Sequence, residues 1–380
     1  MRILLYRLAD EGVPLPYYVH YVLPLSPSAS RGGRLPARQH PGNMNQPYSR
    51  REFLKQSFCF SALALGYRLD GLFAEGVGTR IGFAPDAHHL FAFGDWGQES
   101  HQSQQRAVAR AMREYATKNG IRVEALLLLG DNWYGGLSGG VDSSRWKDQF
   151  EDVYPADVFP GKCYAVLGNH DYEDRPGSKA EAELKYAMNR KSRWTMPAKW
   201  YSFSFPERDP MIRWIALDSN HPHGHFFFDT PTLTHQEMDA ETLWFRNELA
   251  QSSSALYTAV LAHHPIFSNG DHGDTPILIQ DWEPLLHERK VHLYLSGHDH
   301  DLQHLEFEGN PTSYVISGGG GASLRNLKRS PDVRGPYGLK VAGFTHVEVN
   351  RERMVVRHVD SQGEVLHGFR KNPAGEVVLG

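Results

Sequence analysis

The amino-acid sequence predicts an α/β fold with largely parallel central strands, and two observations carry this prediction. Apolar runs typical of buried strands recur along the chain, at 90–95, 126–131, 164–171, 259–264 and 293–300. Helix-like stretches lie between them, at 101–118, 178–190, 234–250 and 276–289. Continuous Val, Leu and Ile runs are typical of strands covered on both faces, and their alternation with helices is typical of an α/β sheet.

Each predicted strand ends in side chains that bind metals well. The first two read LFAFGD and LLLLGD, the third reads YAVLGNHD, and the last two read AVLAHH and LYLSGHDH. We expect Ser100, Ser178 and Thr234 to cap the helices between them. Ligands of open α/β sheets gather outside the carboxyl ends of the strands, so we expect these five polar ends to converge on one site.

Residues 1–74 are interpreted as an export address and not as part of the fold. The segment SRREFLK at 49–55, with its paired Arg50 and Arg51, precedes a short and mildly apolar stretch and resembles a bacterial twin-arginine export signal. The alternative is an ordinary amphipathic helix start. Met44 lies five residues before SRR, so we interpret 1–43 as a non-native or disordered extension and 44–74 as a signal peptide cleaved after Ala74. This predicts a periplasmic or secreted protein, with the twin-arginine export machinery as a partner.

Charge and composition exclude two classes of partner. Residues 1–74 hold 9 of the 40 Lys and Arg and 4 of the 44 Asp and Glu, so the remainder carries 31 against 40, a net charge of −9. A net-negative body predicts no nucleic-acid partner, because phosphates demand a basic face. No apolar run reaches the roughly 18–20 residues of a bilayer span, so we expect no stable membrane insertion. Cys59 and Cys163 form no disulfide framework if the first is lost on processing.

The strand ends and the loops after them offer seven metal-binding side chains, and none is a cysteine. They are Asp95, Asp131, Tyr134, Asn169, His263, His298 and His300. Such a set disfavours a structural zinc site and suits iron, manganese or catalytic zinc. Seven donors are too many for one ion and enough for two ions that share a carboxylate. Two metals roughly 3.5–4 Å apart form the clamp used in phosphoryl-type displacement.

The motifs at these positions resemble those of the purple acid phosphatases, and most nearly the small tartrate-resistant group, within the calcineurin-like metallophosphoesterase superfamily. They read GDWG (94–97), GDNWY (130–134), GNHD (168–171), VLAH (260–263) and GHDH (297–300). The resemblance covers about residues 88–370. It implies a metallophosphoesterase-type four-layer αββα sandwich with its active site at the carboxyl ends of the central strands. It also implies that residues 75–380 form a single catalytic domain.

The resemblance also gives Tyr134 a role. Many dinuclear phosphoesterases carry Asp-x-His in the first motif, whereas this chain has Asp95-Trp96-Gly97. In purple acid phosphatases the tyrosine of GDxxY takes the place of the missing histidine. Tyr134 is then expected to bind ferric iron as a tyrosinate, a hard anionic donor whose charge transfer gives the family its colour. The alternative is that Tyr134 only packs in the core.

The resemblance assigns the remaining roles residue by residue. Three side chains are expected to hold Fe(III): Asp95, Tyr134 and His300. Three are expected to hold a second, divalent metal, which is Fe, Zn or Mn: Asn169, His263 and His298. Asp131 is expected to bridge the two ions. His170 and His272 match the catalytic histidines that hydrogen-bond the substrate phosphate or the leaving oxygen. His264 stands where the mammalian enzymes have an aromatic residue, and its role stays open.

The activity implied is that of an acid phosphatase acting on small-molecule phosphomonoesters. A trivalent ion lowers the pKa of bound water, so hydroxide is available in acid. The expected mechanism is in-line attack of a metal-bound hydroxide on phosphorus, with His170 protonating the leaving oxygen. Two alternatives stay open. One is a phosphodiesterase on the same scaffold, and the other is an exported, non-enzymatic protein that binds metal or phosphate.

Two further segments lie outside these motifs. HPHGH (221–225) follows the predicted strand IRWIALD (212–218), and we interpret it as a flexible loop at the pocket mouth, with a third metal site as the alternative. GGGG (318–321) follows a predicted strand and lacks the lysine of a nucleotide-binding loop, so we expect a tight turn near the site.

Overall fold

A computed structural model of the chain describes residues 81–100, 102–173, 178–189, 192–221 and 233–380. The predicted extension at 1–43 and the predicted signal peptide at 44–74, with its arginine pair, lie outside the described residues. So does most of the segment 221–225, of which only His221 is described.

Fifteen strands are found in the part of the chain that the structure describes. They are β1 (His88–Phe93), β2 (Val123–Leu128), β3 (Lys162–Ala165), β4 (Trp194–Thr195), β5 (Tyr201–Phe205), β6 (Ile212–Ala216), β7 (Tyr257–Leu261), β8 (Leu293–Ser296), β9 (Leu302–Leu305), β10 (Ser313–Ser317), β11 (Tyr337–Leu339), β12 (Gly343–Val349), β13 (Met354–Asp360), β14 (Val365–Lys371) and β15 (Val377–Leu379).

Five α-helices lie in the described part of the chain, and the first and third are the longest, with 17 and 16 residues. They are α1 (Ser103–Asn119), α2 (Ser178–Asn189), α3 (His235–Ala250), α4 (Pro276–Asp281) and α5 (Glu283–Glu288), with 3₁₀ turns at Gly140–Asp142 and Asn169–Tyr172 and a π-helical turn at Trp146–Glu151. Among these described helices, none combines the length and apolar character that crossing a bilayer requires.

The strands form two mixed sheets. The first has the order β15-β14-β13-β12-β1-β2-β3-β4, and the second has the order β11-β9-β10-β8-β7-β6-β5. Strands β1 to β4 run parallel to one another in the first sheet. Strands β6, β7, β8 and β10 do so in the second. All five strands singled out from the sequence (β1, β2, β3, β7 and β8) therefore lie in the parallel parts of the two sheets, as predicted.

The two sheets pack face to face. Tyr164 of β3 stacks on Phe203 of β5 with ring centroids 3.6 Å apart, which joins the first sheet to the second. Within β7, Ala259 and Leu261 belong to this shared core, whereas Val260 packs in a separate cluster. Neighbouring residues of a strand point to opposite faces, so β7 is buried on both sides.

Helices cover the outer faces. The cluster around Val260 includes Phe245 of α3 and Leu285 of α5, so these helices lie on the outer side of the second sheet. On the first sheet, Tyr115 of α1 contacts Phe91 of β1, with ring centroids 5.9 Å apart. The architecture is the four-layer αββα sandwich that the resemblance implied.

The helix boundaries agree with the sequence only in part. Thr234 caps α3 as predicted, because its hydroxyl accepts from the backbone of Glu237 while the Glu237 carboxylate accepts from the backbone of Thr234. The Ser100 prediction is wrong, since α1 is capped by Gln102 without a side-chain bond. The Ser178 prediction is not tested, because the residues before it lie outside the described part of the chain. The stretch 276–289 breaks into two helices because Pro284 has no N–H to continue the first.

Candidate metal centre

The candidate site lies where five strands end. Strands β1, β2 and β3 of the first sheet and β7 and β8 of the second all point their carboxyl ends towards it. The chain reaches the predicted donors within two to six residues of each strand end. The five polar ends therefore converge as predicted, but they come from two facing sheets, which the sequence patterns alone did not indicate.

Asp95, Tyr134 and His300 form one compact group of donor atoms. The Tyr134 hydroxyl lies 3.2 Å from Asp95 Oδ1 and 3.1 Å from His300 Nε2. His300 Nε2 lies 3.4 Å from Asp95 Oδ1. Tyr134 is only 8% exposed. Its phenol oxygen thus meets a carboxylate and an imidazole, which is more than packing in the core requires.

Asn169, His263 and His298 form a second group beside the first. His263 Nε2 lies 3.2 Å from Asn169 Oδ1 and 3.1 Å from His298 Nδ1. Asp131 joins the two groups. Its Oδ1 lies 3.4 Å from His263 Nε2, and its ligand atom lies within 4.8 Å of those of Asp95 and His300. The structure therefore brings all seven predicted donors together, with Asp131 between the two sets.

These separations fit metal ligation. With bonds of about 2.0–2.1 Å, neighbouring ligands at octahedral or tetrahedral angles lie about 2.9–3.4 Å apart. The donor atoms within each group are 3.1–3.4 Å apart where contacts are measured. Two cations, one in each group, are compatible with this spacing.

The imidazoles are oriented for ligation by backbone carbonyls. His263 Nδ1 donates to the carbonyl of Leu129 at 2.8 Å, and His300 Nδ1 donates to the carbonyl of Ser323 at 2.7 Å. A carbonyl only accepts, so it fixes the proton on Nδ1 and directs Nε2 to the centre of the site. This is the usual second interaction of a metal-binding histidine.

The carboxylates of Asp95 and Asp131 favour positive charge among the donor atoms. Burial and the carboxylates of Asp131 and Asp95 raise the pKa of Tyr134 well above its ordinary value. Burial opposes ionisation of His263, but Asp131 outweighs it and raises the pKa of the imidazole to about 9. The phenol and this imidazole therefore hold protons at positions where a cation would replace them, because ligands must give up protons to bind a metal.

The backbone at the site is strained in a way that explains the motifs. Of the five described non-glycine residues with positive φ, three are predicted ligands: Asp95 (60°), Asp131 (51°) and His298 (71°). Non-glycine residues rarely adopt this backbone conformation, and such strain concentrates at functional sites. A Cβ on Gly168 would lie 2.2 Å from Asp131 Oδ1, and one on Gly297 would lie 2.6 Å from Asp95 Oδ2. The glycines of GNHD and GHDH therefore leave room for ligands from other strands.

The two predicted catalytic histidines are more exposed than the donors. The side chain of His170 is 27% exposed, with Nε2 3.9 Å from Asp131 Oδ2 and Nδ1 2.6 Å from Glu173 Oε1. The side chain of His272 is 32% exposed, and its ring stacks on His298 with centroids 4.0 Å apart. Both histidines therefore lie at the rim of the donor cluster, within reach of a substrate there.

Sequence reasoning missed the partners of His272. A guanidinium nitrogen of Arg325 lies 2.7 Å from His272 Nε2, and Asp299 Oδ1 lies 3.0 Å from His272 Nδ1. A guanidinium only donates, so His272 accepts at Nε2 and donates to Asp299 through Nδ1. Asp299 was visible as the middle acid of GHDH, whereas nothing but its charge marked Arg325.

Sequence reasoning also missed the residues that hold the loops together. Asp171, the last residue of GNHD, accepts from the backbone N–H groups of Gly168, Asn132 and Trp133 at 2.8–3.1 Å. It thereby joins the loop after β2 to the loop after β3. Its place in the GNHD motif was the one sign in the sequence that Asp171 matters at the site. These bonds fix the loops that carry Asp131 and Asn169.

The two segments outside the motifs, 318–321 and 221–225, are described by the structure to different extents. Gly320 donates to the carbonyl of Gly94 and Ala322 to that of Asp95, so the segment after β10 packs on the Asp95 turn, near the site as expected. The prediction of a loop at the pocket mouth stays a prediction, since the structure describes one residue of that segment, His221. His221 is fully buried, with Nε2 3.2 Å from Glu241 Oε2, because α3 covers this part of the chain. The rest of 221–225 lies outside the described residues.

His264 also joins the cluster of donors. Its ligand atom lies within 4.8 Å of those of His263 and His298, and its ring centroid lies 4.3 Å from that of His298. It is 6% exposed. His264, whose role the sequence left open, therefore lies among the predicted ligands of the divalent ion.

Comparisons with known proteins agree with this fold and site. The family model for calcineurin-like phosphoesterases matches residues 79–302. Tartrate-resistant acid phosphatase type 5 of Mus musculus is 31% identical over 294 residues, which cover 72% of this chain and 87% of the mouse protein. Purple acid phosphatase 7 of Arabidopsis thaliana is 28% identical, over 73% of this chain and 84% of the plant protein.

A solved structure of the same fold is GAP50, described as the anchor in the inner membrane complex of Plasmodium. It matches with a TM-score of 0.59 at 23% identity and covers 75% of this chain and 89% of its own. At that identity the match concerns the fold alone. The family model and the acid phosphatase relatives show that the chain belongs to the calcineurin-like phosphoesterase family and is related within it to the tartrate-resistant and purple acid phosphatases.

Proposed function

We propose that the protein is a dinuclear-metal acid phosphatase that hydrolyses phosphomonoesters. Membership of a phosphoesterase family and the acid phosphatase relatives support the general activity. The observation that carries the finer proposal is the geometry of the donors, in which two groups share one carboxylate, Asp131. Such a pair of sites suits two metals acting on one phosphate.

The donor sets differ in hardness, which supports a trivalent ion in one of them. Asp95 and Tyr134 would give that ion two anionic oxygens, with His300 as the third ligand. Asn169, His263 and His298 are neutral donors suited to divalent Fe, Zn or Mn. When bound, the two cations would lower the pKa of a water molecule and offset the charge of the phosphate.

His170 is proposed to protonate the leaving oxygen. Glu173 holds Nδ1 at 2.6 Å, and this contact leaves Nε2 facing Asp131 and the centre of the site. The ring lies over that of Tyr134 with centroids 4.2 Å apart, which limits its rotation. A histidine held in this way can deliver a proton to an alkoxide that leaves from the phosphate.

Arg325 and His272 are proposed to favour monoesters over diesters. The guanidinium of Arg325 is partly exposed at the rim and lies 2.7 Å from His272 Nε2. A guanidinium binds phosphate oxygens strongly through charge-assisted hydrogen bonds. A monoester presents three unesterified oxygens against the two of a diester and, once its second proton is lost, one more negative charge, so it gains more from this added cation.

The test compares p-nitrophenyl phosphate with bis(p-nitrophenyl) phosphate from about pH 4 to about pH 8, with metal content measured on the same samples. We expect two metals per chain, at least one of them iron, and faster hydrolysis of the monoester at acidic pH. Asp131→Ala should abolish activity. Asp209→Ala is a matched control, because Asp209 is also an aspartate with positive φ, but it is exposed and paired with Arg351.

The other outcomes separate the alternatives. Preference for the diester would identify a phosphodiesterase on the same scaffold. Two bound metals without turnover of either ester would identify a non-enzymatic binding protein. Activity that survives Asp131→Ala would contradict the bridging role.

We also propose that the protein is exported in folded form to the periplasm or the exterior. The supporting observation is that the donors come from five separate segments between residues 95 and 300, so they meet only in the folded chain. A metal site of this kind is loaded after folding. A route that passes folded protein would allow loading before export, which agrees with the arginine pair read from the sequence.

A further inference from the structure

His264 takes part in the cluster of imidazoles although it directly follows a predicted ligand. Neighbouring residues of a strand point to opposite faces. However, β7 ends at Leu261, and the chain bends at His263 and His264 themselves. The two rings therefore lie close together, with centroids 4.9 Å apart, and both approach His298.

Three contacts hold His264 in this position. Its backbone N–H donates to Ser219 Oγ at 2.8 Å, and its Nδ1 lies 2.9 Å from the same oxygen. Its carbonyl accepts from the Tyr294 hydroxyl at 2.8 Å. With the proton on Nδ1, the ring donates to Ser219 and directs Nε2 away from it. This repeats the arrangement of His263 and His300, whose Nδ1 atoms are bound to backbone carbonyls.

From this geometry we infer that His264 supplies a third imidazole nitrogen to the divalent-ion position. The inference rests on the dinuclear site of the proposed function. The supporting observation is that the ligand atoms of His263, His264 and His298 all lie within 4.8 Å of one another. The divalent position would then hold three nitrogens together with the oxygens of Asn169 and Asp131.

A third nitrogen changes which metal the position selects. Imidazole suits zinc and iron, whereas oxygen ligands suit manganese and magnesium. A position with three imidazoles should therefore prefer Zn²⁺ or Fe²⁺ to Mn²⁺ more strongly than one with two. His264 would act as a selectivity residue for the metal, in addition to any effect on turnover.

The experiment uses the full chain, loaded with iron and then with Zn²⁺ or Mn²⁺. Two variants are compared with the native protein: His264→Phe, which removes both ring nitrogens, and His264→Gln, which keeps a polar group facing Ser219. His292→Gln is the control, because His292 bonds to the backbone of Thr258 and Pro373 outside the donor cluster. The visible band of the iron reports that each variant retains a folded site.

X-ray absorption at the zinc edge should count three imidazoles in the native chain and in His292→Gln, and two in either His264 variant. The preference for Zn²⁺ over Mn²⁺, measured as a ratio of dissociation constants, should fall by about 10- to 100-fold in His264→Phe. Two imidazoles in the native chain, or an unchanged ratio, would overturn this inference alone. Uptake of a single metal would overturn the proposed function as well.

Discussion

Removing the Tyr134 hydroxyl tests the proposed metal centre most directly. Tyr134→Phe deletes one oxygen and leaves the ring, which packs against His170 with centroids 4.2 Å apart. The deleted oxygen contacts Asp95 Oδ1 at 3.2 Å and His300 Nε2 at 3.1 Å. The change therefore removes one proposed anionic ligand of the ferric ion without opening a large cavity.

Two magnitudes follow from these contacts. In the metal-free protein, the single phenol proton donates one hydrogen bond, to Asp95 Oδ1, so its loss should lower the free energy of unfolding by about 1 kcal/mol. Iron binding should weaken by at least the 10- to 100-fold typical of losing an outer-shell partner, or about 1.4–2.8 kcal/mol. The visible band should disappear, because phenylalanine has no phenolate to transfer charge.

The assay combines iron content, the visible spectrum of the oxidised protein and denaturant unfolding after metal removal. Tyr201→Phe is the matched control. Tyr201 is 7% exposed, and its hydroxyl reaches two backbone carbonyls, of Ala165 at 2.9 Å and of Thr195 at 3.1 Å. It should lose similar stability and keep its colour. A visible band that persists in iron-loaded Tyr134→Phe would refute the tyrosinate assignment.

Three further predictions follow. His170→Ala should slow esters with poor leaving groups by about 10²- to 10⁴-fold while p-nitrophenyl phosphate suffers less; equal losses would mean that His170 only positions the phosphate. Burial lowers the pKa of His358 to about 3, so below pH 6.5 the unfolded chain binds a proton that the native chain does not. The free energy of unfolding should therefore decrease as the pH is lowered. This costs about 2 kcal/mol at pH 5 relative to pH 7, and denaturant unfolding of His358→Gln should show a smaller loss than the native chain; an equal loss would place the proton on native His358. Replacing Arg50 and Arg51 with lysines should leave active, metal-loaded enzyme in the cytoplasm, as measured by cell fractionation, and undiminished export would show that the signal was misread.

The sequence by itself predicted the strands that carry the site and the residues that end them. Buried strands appear as apolar runs, and a glycine followed by a polar residue appears at the end of four of the five runs, because both signals are local in the chain. Asp95 and Asp131 are examples, since each follows its strand and a glycine directly. Thr234 was predicted as a cap for the same reason, because a cap depends on residues that are close together in the chain.

Only the tertiary structure decided which distant side chains meet. Arg325 reaches His272 across 53 residues, and Ser219 holds His264 across 45. The burial of His221 likewise depends on Glu241, a residue of a later helix. Loops set these contacts by their path over the ends of two facing sheets, and periodicity in a sequence carries no record of that path. The sequence therefore indicated the candidate donors that follow the strands, while the packing of the two sheets determined their partners, their orientation and the place of His264 among them.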